Sequence, residues 1–192
     1  MLRELHPSEY KLSPSAARLR GFPAIGVELA VADPTVTLEA IASGDVIVRC
    51  VEQRDGKVIG ELAISIFRAA LVIDRDGILA ERAEDAARDA LAGRLQPAVP
   101  VALPGASGYR AEVAVPSAGG AALPYLYAFA IAPDDLGVDG GAIAIVRCAR
   151  PEWPAGNAIL ATLRVLGRSG KRAAAGDPDA VLALPMASRS RR

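Results

Sequence analysis

AIAIVRCARPEWPAGNAILATLRVLGR, residues 142–168, predicts a buried strand, a short turn and a closing helix, and the rest of the chain must pack around this unit. Ala142–Ala149 is almost continuously apolar and rich in β-branched residues, as expected for a strand covered on both faces. Pro154 suits the first position of a helix, where a missing N–H costs nothing. Apolar residues then recur at helical spacing over Ile159–Leu166, and Gly167 is placed to end the helix.

The strongest local signal elsewhere is a hairpin. Two alternating apolar runs within residues 45–68 flank an Asp55-Gly56 pair, which is typical of a tight turn between antiparallel strands. Ala24–Val31 also alternates and predicts a half-buried strand. Residues 35–42 fit either a strand or a helical turn, and both alternatives stay open.

The middle of the chain predicts a helix followed by more strands. An apolar stripe within residues 78–95 predicts a surface helix that packs on the sheet and ends at Pro97. Residues 109–115 and 125–133 then predict strands. The fold class is therefore α+β: a mainly antiparallel sheet flanked by helices, arranged as an α/β/α sandwich.

Composition and charge limit the classes of function. The 192 residues contain 22 Lys and Arg against 22 Asp and Glu, so no net charge favours nucleic acid. No apolar run reaches membrane-spanning length, so we expect no membrane insertion and a cytoplasmic location. We divide the chain into an N-terminal arm (1–22), one α+β domain (23–168) and a mobile basic tail (169–192).

Motifs for catalysis or metal binding are weak. The single histidine, His6, lies in the predicted arm, where an untethered imidazole cannot hold catalytic geometry. The residues Asp74-Arg75-Asp76-Gly77 resemble part of a calcium loop, but helix capping explains them better. Cys50 and Cys148 both fall in predicted strands, which favours buried free thiols over a bridge between strands. We therefore expect no catalytic residues, no metal and no cofactor.

Four aromatic residues are the candidate binding residues. Trp153, the only tryptophan, sits at a strand-to-helix turn, where it either lines a ligand cleft or covers the end of the core. Tyr125, Tyr127 and Phe129 alternate along one strand and share one face. If a helix leaves that face uncovered it forms a groove for a partner, and if it is covered it is core.

The order of these segments resembles the PsbP-like superfamily, which includes the Mog, PsbP, LpqN and DcrB-related proteins. The residues that carry the resemblance, over roughly Phe22–Gly167, are AIGVELAV (24–31), ILAERAEDAARDALAGRL (78–95), ALPGASGYRAEVAV (102–115) and GAIAIVRCARPEWPAGNAILATLRVLG (141–167). The resemblance implies an α/β/α sandwich that acts as a binding or adaptor domain, and some DcrB-related members act as chaperones. The chain differs from the lipoprotein members because it carries no export signal or lipid-attachment cysteine near its start.

Three hypotheses for function follow. The preferred one is a non-enzymatic cytoplasmic protein-interaction module, an adaptor or a chaperone, whose partner is another protein. The second is a small-molecule-binding protein or enzyme that uses a sheet-face pocket with Glu61, Glu112 and Tyr127. The third is a structural subunit of a larger assembly.

Overall fold

The computed structural model describes residues 17–21, 26–40, 46–90, 93–103, 105–114, 122–134, 140–166 and 183–184. Within these ranges the chain forms eleven strands and two helices. Their bounds are β1 Ala17–Gly21, β2 Gly26–Leu29, β3 Val36–Ala40, β4 Val46–Arg54, β5 Lys57–Phe67, α1 Arg75–Ala90, β6 Arg94–Leu103, β7 Ala106–Ala114, β8 Tyr125–Pro133, β9 Gly141–Cys148, α2 Pro154–Thr162, β10 Arg164–Leu166 and β11 Ala183–Leu184.

Seven strands form one sheet in the order β3-β4-β5-β9-β8-β7-β6, and every neighbouring pair is antiparallel. Strand β9 lies in the centre, between β5 and β8, as its apolar sequence predicts. The α+β class and the mainly antiparallel sheet are therefore confirmed.

The predicted hairpin joins β4 to β5. Arg54 pairs with Lys57 across a two-residue turn, and both turn residues, Asp55 and Gly56, have positive φ (51° and 73°). This is the backbone conformation that Asp-Gly favours in tight hairpins. The ambiguous residues 35–42 contain β3, which pairs with β4 at one edge of the sheet.

Helix α1 covers one face of the sheet over strands β6–β9. Its buried residues, Leu79, Ala83 and Ala87, belong to a core cluster with small side chains of β7 and β8. Asp74 caps this helix, because its Oδ1 atom accepts a hydrogen bond from the Gly77 backbone N–H (2.9 Å).

The opposite face carries the larger core cluster. On this face, the seven-stranded sheet packs against α2 and against a second, four-stranded sheet in the order β10-β2-β1-β11. Val27 of β2 pairs with Val165 of β10, and both are buried. Strand β8 is therefore covered by α1 on one face and packs toward this second layer on the other.

Two predicted helix ends are wrong. Helix α2 ends at Thr162, not at Gly167, because Leu163 has an extended backbone (ψ 125°) and the next residues pair with β2 as β10. Helix α1 ends at Ala90, and Pro97 lies inside β6, an edge strand, where a residue without an N–H is tolerated. In both places a non-local strand pairing overrides the local helical spacing.

The terminal segments are described only in part. Strand β1 falls inside the predicted N-terminal arm and pairs with β2, while β11 falls inside the predicted tail and pairs with β1 in parallel. His6 and the remaining residues of both segments lie outside the described ranges. In the described part of the chain, neither helix is long and apolar enough to cross a membrane.

Candidate functional site

Trp153 lies inside the larger core, with 4% of its surface exposed. Two glycines allow the indole to approach the backbone, because a Cβ added at Gly60 or at Gly156 would come within 2.3 Å or 2.0 Å of its ring atoms. The ring therefore fills the space between β5 and the first turn of α2. This placement matches the core alternative for Trp153, and its direct contact with a partner stays a prediction.

A buried carboxylate fixes the orientation of the indole. The Trp153 Nε1–H donates to Oε2 of Glu52 (2.6 Å), and Glu52 is 2% exposed. Arg54 approaches the other carboxylate oxygen, with its Nε 3.0 Å and its Nη2 2.8 Å from Oε1. The turn at the start of α2 is thus attached to strand β4 by a charge-assisted hydrogen bond.

The three aromatic residues of β8 are half-buried on one face of the sheet. Tyr125, Tyr127 and Phe129 pack against the larger core cluster yet keep part of their surface exposed. The Tyr127 hydroxyl donates to the backbone carbonyl oxygen of Pro151 (2.7 Å), at the exposed side of the Trp153 turn. This face is therefore neither an open groove nor fully covered core.

Strand β7 places two opposite charges beside these rings. Glu112 lies directly across from Tyr127, and Arg110 lies across from Phe129. The Arg110 guanidinium carbon is 5.8 Å from the centre of the Tyr127 ring, within cation–π range. Burial, followed by the negative charge of Glu112, raises the pKa of the Tyr127 phenol, and the charge of Arg110 opposes this shift.

Val99 extends this surface to the sheet edge. It pairs with Arg110 across β6 and β7, and it is 44% exposed. We call the six residues that share this face the tyrosine patch: Val99, Arg110, Glu112, Tyr125, Tyr127 and Phe129. Sequence reasoning found the aromatic residues and Glu112 but missed Arg110 and Val99. The signal for Arg110 was its alternation with Glu112 in the strand sequence YRAEVAV.

Glu61 is not part of the patch. It neighbours the inward residue Leu62 on β5, so its side chain leaves the opposite face of the sheet. There its Oε1 atom pairs with Nε of Arg49 (2.8 Å). Of the three groups in the second hypothesis, the structure brings Glu112 and Tyr127 together and places Glu61 elsewhere.

Both cysteines are buried and free, as predicted. Cys50 pairs with Leu62 and Cys148 pairs with Gly60, so strand β5 lies between them. Two strand spacings of roughly 4.8 Å exceed the reach of a disulfide. Burial raises the pKa of Cys50 to about 12 and that of Cys148 to about 11.

The acidic turns have structural contacts. Asp74 caps α1, as predicted from the Asp-x-Asp-Gly sequence. Asp134 accepts a hydrogen bond from the Ser107 hydroxyl (2.9 Å), while Asp135 and Asp139 lie outside the described residues. Across the ranges that the structure describes, no group of three or more His, Cys, Asp or Glu residues is arranged to hold a metal ion.

Comparison with known proteins identifies no relative. No family model, curated protein or solved structure matches the chain.

Proposed function

We propose that the protein is a non-enzymatic protein-interaction module that binds its partner through the tyrosine patch. The observation that carries this proposal is a half-buried set of tyrosine, phenylalanine and arginine side chains on one sheet face. Tyr and Arg are enriched among the residues that contribute most to binding energy at protein interfaces. Two tyrosines and an arginine side by side match this composition.

The patch is held in its shape before any partner arrives. Tyr127 is fixed by its hydrogen bond to Pro151 and by the guanidinium above its ring. The Pro151 carbonyl is close to Trp153, which Glu52 anchors to β4. Because Tyr127 is held in place in this way, it loses little rotational freedom on binding, and its contacts contribute more fully to affinity.

Ionisable groups outside the patch form contacts that support the fold. Glu61 pairs with Arg49, and the Arg75 guanidinium donates to the carbonyl oxygens of Ala132 and Pro133 (2.9 Å each). The raised pKa of Cys50 keeps its thiol protonated and weakly nucleophilic at neutral pH. These roles support a structural use of each group.

The arrangement of the layers, the biological role and the cellular location are also part of this proposal. An α/β/α sandwich is supported by α1 on one sheet face and α2 on the other, and it agrees with the PsbP-like resemblance. An adaptor or chaperone role and a cytoplasmic location extend the proposal to the biology of the protein. A structural subunit of a larger assembly would use the same surface, and light scattering after size-exclusion chromatography separates that case from a monomeric adaptor.

A second candidate function is the binding of a small molecule, or its conversion, at the same face. It is favoured by the adjacency of Glu112 and Tyr127, with Arg110 beside them. This arrangement offers a cation, a carboxylate and a phenol to a polar aromatic ligand. Turnover or tight binding of such a ligand without any protein partner would support it.

Site-specific photo-crosslinking tests the preferred function. A photoreactive amino acid replaces Val99 in one variant and Glu39, an exposed residue of β3, in a matched control. We expect the probe at position 99 alone to capture a defined protein. That protein is then purified, and Tyr125→Ala should weaken its binding at least about tenfold in calorimetry. Equal capture at both positions, or unchanged affinity, would overturn the proposal.

A further inference from the structure

Two opposite charges on β7 make the tyrosine patch complementary to itself. Arg110 and Glu112 occupy alternate positions of one strand, so their side chains leave the same face, with Cα atoms roughly 7 Å apart. Neither residue forms an ion pair with another residue in the described part of the chain. Arg110 Nε also has no hydrogen-bond partner there, although it is buried.

A two-fold axis would pair these charges without any other partner. In an interface between identical chains, the same surface is used twice, so each group meets its opposite number in the second copy. An axis that passes between Arg110 and Glu112 brings the arginine of each copy against the glutamate of the other. Two ion pairs form, and the rings of Tyr125 and Tyr127 lie around them.

We propose that the tyrosine patch is the interface of a homodimer in which Arg110 of each copy pairs with Glu112 of the other. This inference rests on the proposed function and names the partner as a second copy of this chain. Charge complementarity favours this occupant, because a second copy of the patch offers a carboxylate to Arg110 and a guanidinium to Glu112 at the same spacing.

The sheet edge beside the patch limits how the copies meet. Strand β6 is an edge strand with Pro97 and Pro100, and neither residue has an N–H to donate to an added strand. Continuing the sheet across this edge would lose those hydrogen bonds. The two copies therefore meet through the side chains of the tyrosine patch and not through strand pairing, and the exposed Val99 is covered at the rim of the contact.

Charge reversal with mixing tests this geometry directly. Sedimentation equilibrium is measured for the natural full chain, for Arg110→Glu, for Glu112→Arg, and for an equimolar mixture of the two variants. We expect the natural chain to dimerise and each single reversal to raise the dimer dissociation constant at least about 100-fold, because it puts like charges together twice. The mixture should recover most of the natural affinity, since its mixed dimer has both opposite-charge pairs.

Matched variants separate a lost contact from a lost fold. The double variant Arg110→Glu with Glu112→Arg restores both pairs within one chain and should dimerise like the natural protein. Glu39→Arg reverses an exposed charge on β3 and should leave the dissociation constant within about twofold. Circular dichroism of each variant shows whether it is folded, and recovery in the mixture requires that both single variants are.

The outcomes also distinguish this inference from the proposed function. A natural chain that stays monomeric at the highest soluble concentration overturns the dimer, and so does a mixture no tighter than either variant alone. If the probe at position 99 then captures a different protein, and Tyr125→Ala weakens that complex, the interaction function stands without self-association. If neither self-association nor capture occurs, both proposals fail.

Discussion

Strand β8 has two faces that differ in size, burial and role. The face beneath α1 consists of small or aliphatic side chains that are completely buried: Leu126, Ala128, Ala130 and Ala132. The other face presents large aromatic rings that are half-buried and keep part of their surface exposed: Tyr125, Tyr127 and Phe129. Small side chains let a helix come close to the sheet, whereas large flat rings cover wide areas and keep polar tips for recognition. One strand thus provides stability on one face and a candidate interface on the other.

The two faces of β8 should differ most in the free energy of unfolding that is lost when a side chain is truncated. Leu126→Ala removes a fully buried side chain beneath α1 and should lower the free energy of unfolding by about 2 to 5 kcal/mol, because the rigid surroundings leave a cavity. Urea unfolding followed by circular dichroism measures it. Thr37→Ala, at an exposed position of β3, is the control and should stay within about 0.5 kcal/mol. A loss below about 1 kcal/mol for Leu126→Ala would show that the α1 face is not tightly packed.

We expect a smaller loss of unfolding free energy when the hydrogen bond between Trp153 and Glu52 is removed. Trp153→Phe removes the N–H that Oε2 of the buried Glu52 accepts, and it should cost about 1 to 3 kcal/mol because a buried acceptor loses its donor. A double-mutant cycle with Glu52→Leu, whose side chain cannot accept the indole N–H, measures the coupling. The two changes should be coupled by at least about 0.5 kcal/mol, since the residues are in direct contact. Strictly additive losses would contradict the hydrogen bond.

The buried thiol of Cys50 on β4 makes stability depend on alkaline pH. Burial raises the pKa of Cys50 from an ordinary value of 9.0 to about 12, so the native state keeps a proton that the unfolded chain loses. The stabilising contribution is therefore complete below pH 9 and is lost as the pH rises toward 12, by about 1.4 kcal/mol per pH unit.

Cys50→Ala isolates this contribution from the other groups that titrate at alkaline pH. Urea unfolding of both proteins between pH 8 and pH 10.5 should show a steeper decline for the natural chain. Their difference in unfolding free energy should shrink as the pH rises. Parallel curves would mean that the thiol titrates equally in both states.

How far the sequence predicts this molecule depends on the range of the interactions. The Asp55-Gly56 hairpin and the strand character of β8 and β9 follow from local patterns, and the structure has them. The end of α2 does not follow from a local pattern, because Leu166 fits a helix by spacing and becomes a strand residue only through its pairing with Gly26 of β2. Local spacing carries no information about that distant partner.

The candidate site shows the same limit. The alternation of aromatic residues on β8 predicts their shared face, but the sequence does not give the register between β7 and β8. That register places Arg110 above Tyr127 and Glu112 across from it. The burial of Trp153 likewise depends on Gly60, 93 positions earlier in the chain, whose missing side chain makes room for the indole.

The smallest effect is expected for Tyr127→Phe, within the patch itself. The variant keeps the ring beneath Arg110 and loses only the hydroxyl that donates to Pro151, so unfolding should become easier by about 0.5 to 1.5 kcal/mol. Tyr127 keeps part of its surface exposed, and water can replace part of the lost hydrogen bond, which favours the lower end of that range. Urea unfolding alongside Leu126→Ala, its neighbour on the other face, gives the matched comparison. If Tyr127→Phe lowered the free energy of unfolding as much as Leu126→Ala does, the patch would be an extension of the core. Its side chains would then be needed for the fold and would not be free to bind a partner.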